Sequence, residues 1–168
     1  MPSKNVSGAD DQQESLKMMG WITGFVDGEG CFTVSIFKNY KAQRKLGWQV
    51  FPEFVVSQGE KSLSVLELIK NYFNCGYIIK NKRNDNHHED MFKYCVRSLS
   101  DLETKIVPFF TQNKLLTAKR RDFIIFKEIL KMMGRKDHLN LKGLRKIASL
   151  ALQMNRKKRP KFSEILRD

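Results

Sequence analysis

No apolar stretch in this chain runs for the roughly 20 residues that a membrane-spanning helix needs, because charge interrupts each of the longest ones. A lipidation signal and an amphipathic anchor are also missing, and the opening MPSKNVSGADDQQES has no apolar signal-peptide core, so it reads as a polar lead-in. A membrane partner is therefore not expected. Cysteine is scarce: Cys31, Cys75 and Cys95 are odd in number and widely spaced, which excludes a disulfide framework and a CxxC zinc site. They read as reduced core or sheet residues of an intracellular protein, with bacterial cytoplasm and organelle both left open. Acid is the minority charge, 18 Asp and Glu against 31 Lys and Arg, for a net charge of +13. A field of that sign draws polyanions, which makes nucleic acid the expected partner rather than a small-molecule substrate.

What is present fits one globular domain: 168 residues, 41% of them hydrophobic. Residues 16–27 (LKMMGWITGFVD) are mostly apolar and free of proline, which predicts a helix packed on more than one side. Gly20, Gly24 and Gly28 recur every four residues along it and so share one face. Each interior glycine costs up to about 1 kcal/mol of helix propensity relative to alanine, and close approach of another backbone would offset that cost.

After Gly30 the period changes to two, with Phe32, Val34 and Ile36 alternating with Thr33, Ser35 and Phe37, as in a strand with one buried face. Residues 38–47 form a polar connection, and 48–57 (WQVFPEFVVS) a second strand in which Pro52 marks an edge or a bulge. A helix over 62–73 follows, then strands over 77–82 and 91–98, then helices over 100–110, 117–133 and 141–154. Met18, Met19, Trp21, Phe25, Phe123 and Phe126 read as core. The domain is placed at 16–155, between the lead-in 1–15 and a basic tail 156–168.

The nine residues Ile22 to Gly30, preceded by Trp21, resemble the LAGLIDADG motif: acids and small residues fall in register at the end of an apolar helix. Val56-Ser57-Gln58, Cys75-Gly76-Tyr77-Ile78, Tyr94-Cys95-Val96, Thr117-Ala118-Lys119 and the run from His138 to Leu144 extend the likeness to the LAGLIDADG homing endonucleases. That resemblance implies an α+β fold of αββαββα order, whose antiparallel sheet forms a saddle on DNA. For a chain with one motif it implies a homodimer that hydrolyses both strands of a long near-palindromic double-stranded site, usually encoded within an intron or intein. It also implies a divalent cation, normally magnesium. The alternative from another class is an RNA-binding maturase that assists intron splicing.

Phosphodiester hydrolysis needs a water nucleophile, a neutralised phosphate and a stabilised leaving oxygen, and a metal held by carboxylate oxygen serves all three. By resemblance, Glu29 is the metal ligand, helped by the backbone carbonyl of Gly28, while Asp27 is structural and bonds backbone groups at the helix end. Gln58 resembles the polar residue that positions the hydrolytic water. Lys119 resembles a lysine supporting the phosphate or the water, with Lys114 the alternative register and Lys61 an additional basic contact.

If two copies pack through Gly20, Gly24 and Gly28, their two Glu29 carboxylates converge, and bound cations are needed to keep both ionised. A two-stranded ribbon fits the major groove. Its candidate readers are Thr33, Ser35, Phe37 and Asn39 on the first strand and Gln49, Phe51 and Glu53 on the second, with Lys80, Asn81, Lys82, Arg83, Lys93 and Arg97 beyond. Lys41, Arg44 and Lys45, with residues 156–161, are expected to reach phosphates. The cluster His87-His88-Glu89-Asp90 lies in a polar loop without ligand spacing and reads as a solvated turn.

Overall fold

A computed structural model describes residues 6–39, 46–81, 90–154 and Ile165. Their order is α1 (Val6–Glu29), β1 (Gly30–Lys38), β2 (Trp48–Gly59), a 3-10 turn (Glu60–Ser62), α2 (Leu63–Phe73), β3 (Tyr77–Asn81) and β4 (Met91–Val96). A helical run follows, made of α3 (Leu99–Asp101), a π-helical stretch (Leu102–Ile106) and α4 (Val107–Gln112), and then α5 (Lys119–Gly134), a 3-10 turn (Asp137–Leu139) and α6 (Leu141–Leu152). The fold is α+β, in the helix, two strands, helix, two strands, helix order expected.

Most element ends fall within two residues of expectation, and two of the differences have identifiable reasons. α1 starts at Val6 and not near residue 16, because the run DDQQES contains no breaker and continues the helix N-terminally in exposed turns. The helix expected over 100–110 contains Pro108, which lacks the N–H needed for its helical bond. The π-helical turn just before it loosens the ladder and lets the helix run on through Gln112.

The sheet has the order β1-β2-β4-β3 with every neighbour antiparallel. Pro52 lies in a strand that is central overall, but β4 pairs β2 only between Phe54 and Gly59, so at Pro52 the strand has β1 as its sheet neighbour and the missing N–H breaks no ladder with β4. Phe32, Val34, Ile36, Val50, Phe54 and Val56 point to the helices and are buried. Phe32 is the hub: its ring lies 5.1–5.5 Å from those of Phe54, Phe110, Phe123 and Phe126, tying β1 and β2 to α4 and α5. Aromatic pairs at such spacings add about 0.5–1.5 kcal/mol each beyond their buried area.

α1 departs from the expected all-round packing. Ile22 and Val26, one turn apart, are fully buried, whereas Trp21 is 41% exposed and stacks on the half-buried Phe25 at 5.2 Å. Gly20, Gly24 and Gly28 are exposed as well, and a Cβ added to any of them would meet nothing within 4 Å. The single chain thus buries one stripe of α1 and leaves the glycine stripe open.

Candidate active site

The motif ends where α1 passes into β1 with no intervening residue. A Cβ on Gly30 would lie 2.6 Å from Val26 Cγ1 and 2.8 Å from the Val26 carbonyl oxygen, so only glycine allows so abrupt a change from helix to strand. The consequence is positional: Glu29 is delivered, exposed, at the lip of the sheet. Gly30 pairs with Val56, which sets Gln58 two residues past the start of β1 at that same end of the sheet, half-buried and on the side of Val56.

Asp27 does bond backbone groups, but those of a remote segment. Its carboxylate accepts from Leu116 N at 2.8 Å, from Thr117 N at 3.1 Å and from the Thr117 hydroxyl at 2.6 Å. Partial burial pushes its pKa up, but the Thr117 hydroxyl, the two backbone N–H groups and the charge of Lys119 outweigh this and hold it below the usual carboxylate range. A depressed carboxylate contributes stability above its unfolded pKa and loses it as the pH falls through the folded value. Asp27→Asn is therefore expected to flatten the acid-side fall in stability below about pH 4, read from urea midpoints across pH. An unchanged pH slope would remove Asp27 from this role.

Holding the 116–117 segment against α1 also seats Lys119, the first residue of α5. Its Nζ donates to the carbonyl oxygens of Val26 at 2.9 Å and Gly28 at 3.0 Å. Burial lowers its pKa, opposed by the negative potentials of Cys31, Asp27, Glu29 and Asp122. Between the two registers left open, the structure thus brings Lys119 to the motif, while Lys114 is exposed and lines a groove of about 480 Å³ with Phe110, Arg120 and Lys131. Lys61 is exposed in the 3-10 turn after β2.

Two oxygen donors suit a hard cation at this point, the Glu29 carboxylate and the Gly28 carbonyl, the latter also accepting from the Lys119 ammonium. Among the described residues no three His, Cys, Asp or Glu side chains gather into a metal cluster. The donor set fits an ion that keeps most of its shell for water and phosphate oxygen, as magnesium does.

The outer face of the sheet carries most of the proposed base readers. Thr33 pairs with Glu53, Ser35 with Phe51 and Phe37 with Gln49 across β1 and β2, all on the side away from the helices. Asn39 Nδ2 donates to Gln49 Oε1 at 2.8 Å. Lys93 pairs with Ser57 and Ile79, and Asn81 with Met91, on that same face. Lys80 departs from the expected face: it pairs with Phe92 and so alternates onto the helix side, where it bridges to the Asp90 carboxylate.

Arg97 bridges to Glu53, and its guanidinium lies over the rings of Phe51 at 5.2 Å and Tyr77 at 5.5 Å. Tyr77 was not among the expected site residues; the odd positions of β3 share the face of Lys93, and that parity would have found it. Thr117 was likewise read only as part of a likeness. Lys41, Arg44, Lys45, Lys82, Arg83, His87, His88, Glu89 and residues 156–161 lie outside the described residues.

Sequence and structure comparisons show which family the chain belongs to. The family profile described as LAGLIDADG endonuclease matches residues 22–130. A Neurospora crassa protein named probable intron-encoded endonuclease 2 is 38% identical over 136 residues, which cover 80% of this chain but 28% of that protein. The chain thus spans little more than a quarter of this curated relative. The homing endonuclease I-TnaI superposes with a TM-score of 0.80 at 38% identity, covering 89% of this chain and 95% of that one. The I-SmaMI LAGLIDADG homing endonuclease bound to cleaved DNA gives a TM-score of 0.79 at 35% identity, over 87% of this chain and 46% of that chain.

Proposed function

From the premise that the chain belongs to the LAGLIDADG endonuclease family, we propose that it is a homing endonuclease that hydrolyses both strands of a long double-stranded DNA site as a homodimer. The observation that carries this reading is the convergence at the end of α1: exposed Glu29, the Gly28 carbonyl and the Lys119 ammonium meet at the lip of a sheet whose outer face is lined by polar and aromatic side chains. The I-TnaI match, over 89% of this chain and 95% of that one, is to a homing endonuclease chain of similar extent.

Glu29 and the Gly28 carbonyl would hold the divalent ion, magnesium by the chemistry of the donors. When bound, that ion supplies Lewis-acid polarisation of the scissile phosphate and a lowered pKa for attacking water. The chain's own groups do the rest. Gln58, at the same end of the sheet, orients water through its amide. Lys119, anchored by two carbonyls, places a positive charge beside the phosphate. Asp27 keeps that lysine in place through the 116–117 segment. The outer sheet face sets the register on the duplex.

The exposed glycine stripe supports the homodimer. Two copies of α1 crossing through Gly20, Gly24 and Gly28 would bury it and bring two Glu29 sites together, one for each strand.

The test uses the full chain, magnesium and a DNA library carrying candidate insertion sites. Site-specific double-strand cutting is expected, and binding without cutting on any site would overturn the reading. On a cleaved site Lys119→Met is expected to slow cutting by about 100-fold or more, whereas Lys114→Met changes it little. The reverse ranking would transfer the role to Lys114.

A further inference from the structure

Arg97 lies on the outer sheet face, just past the end of β4 and opposite the middle of β2. It follows the last residue of β4, and its guanidinium lies between a ring from β2, Phe51, and a ring from β3, Tyr77, at 5.2 and 5.5 Å. The carboxylate of Glu53, on β2, takes the Nε–H. Glu53 is the more enclosed of the pair, its side chain 18% exposed against 37% for Arg97. A free arginine on a strand surface samples many rotamers, whereas this one is fixed in plane by two rings and in rotation by one carboxylate. With Nε committed to Glu53 and Tyr77 also hydrogen-bonded to the guanidinium, a ligand is met through the N–H groups that remain on its terminal amino groups.

We propose that Arg97 reads a guanine in the target DNA end-on, and that Glu53, with Phe51 and Tyr77, positions it for that base. The assignment rests on the DNA-cutting reading above and deepens it. Guanine presents two acceptors, O6 and N7, side by side in the major groove, the spacing that two parallel N–H groups match. Adenine offers one acceptor beside a donor, cytosine a donor, and thymine one acceptor beside a methyl group, so none accepts the fork. A phosphate can take the same fork but carries no sequence information, so a base preference tells the two contacts apart. The acid at Glu53 is then explained in a strongly basic chain: it aims the arginine, and its charge alone would repel DNA.

The experiment selects sequences bound by the full chain from a randomised duplex pool without divalent metal, so that recognition is read apart from cutting. The parent is expected to show a guanine preference at one base pair per bound copy. Arg97→Lys, which keeps the charge and loses the fork, is expected to reduce that preference about tenfold or more while leaving every other position and the salt dependence of binding as they were. Glu53→Ala is expected to weaken the preference at that base pair alone, and Glu53→Gln, which still accepts from Nε, to restore most of it.

An Arg97→Lys profile identical to the parent's would overturn the assignment, and so would a loss spread evenly over all sequences. If Glu53→Ala lowered binding at every position equally, the positioning role would fall. A parent chain that selects no sequence at all would instead overturn the DNA-reading premise, and the two failures are told apart by the parent's profile.

Discussion

Glu29→Gln is expected to slow DNA cleavage by about 1,000-fold or more while leaving DNA affinity within a few-fold of the parent's. The size follows from the role: removing the one carboxylate that would hold the cation forfeits several kcal/mol of charge stabilisation that other groups at the site do not replace. Asp27 cannot substitute, because its oxygens are occupied by Leu116 and Thr117. Lys119 has the wrong charge. The fold has little stake in Glu29, which is exposed, so melting temperatures are expected to coincide and a cleavage loss cannot be put down to unfolding. Gel-shift affinity beside single-turnover cleavage checks both halves, and a Glu29→Gln protein that cuts as fast as the parent would remove the metal assignment.

Gly24→Leu is expected to separate folding from pairing. In the isolated chain a side chain at this position meets nothing within 4 Å, and leaving glycine improves helix propensity by up to about 1 kcal/mol. The single chain should therefore be at least as stable as the parent. Between two α1 helices the same leucine is inserted twice, once from each copy, into a contact that depends on backbones touching. Overpacking of about 1–3 kcal/mol per insertion raises the dimer dissociation constant by roughly 30-fold or more. Sedimentation velocity over a concentration series reads the shift, with double-strand cleavage falling in parallel. An unaltered dimer constant would place the interface elsewhere.

Much of this site was legible in the sequence because its chemistry is local. The last residues of α1 carry the helix end, the acid and the strand start in consecutive positions, and the alternation after Gly30 divides Thr33, Ser35 and Phe37 from Phe32, Val34 and Ile36 without further information. Contacts that span the chain were not legible. Asp27 and Thr117 are 90 residues apart, and no pattern near either announces the other. The register left both Lys114 and Lys119 open; only the fold shows that Lys119 opens α5 and donates to the carbonyls of Val26 and Gly28. Lys80 looked like one more basic residue of an outward strand until the pairing of β3 with β4 set its parity. Trp21 read as core because its neighbours are apolar, yet it lies on the side of α1 that the chain's own sheet does not cover.

The pairing of two acids with two strands is tested most directly by mixed dimers. Parent and Glu29→Gln chains carrying different affinity tags are refolded together, the hybrid is purified through both tags, and it is given a supercoiled plasmid with one target site. The hybrid is expected to convert the plasmid to the nicked circle, cutting one strand at close to the parental rate per site and the other about 1,000-fold more slowly. A hybrid that linearises the plasmid as fast as the parental dimer would contradict that pairing, since one Glu29 would then suffice for both strands.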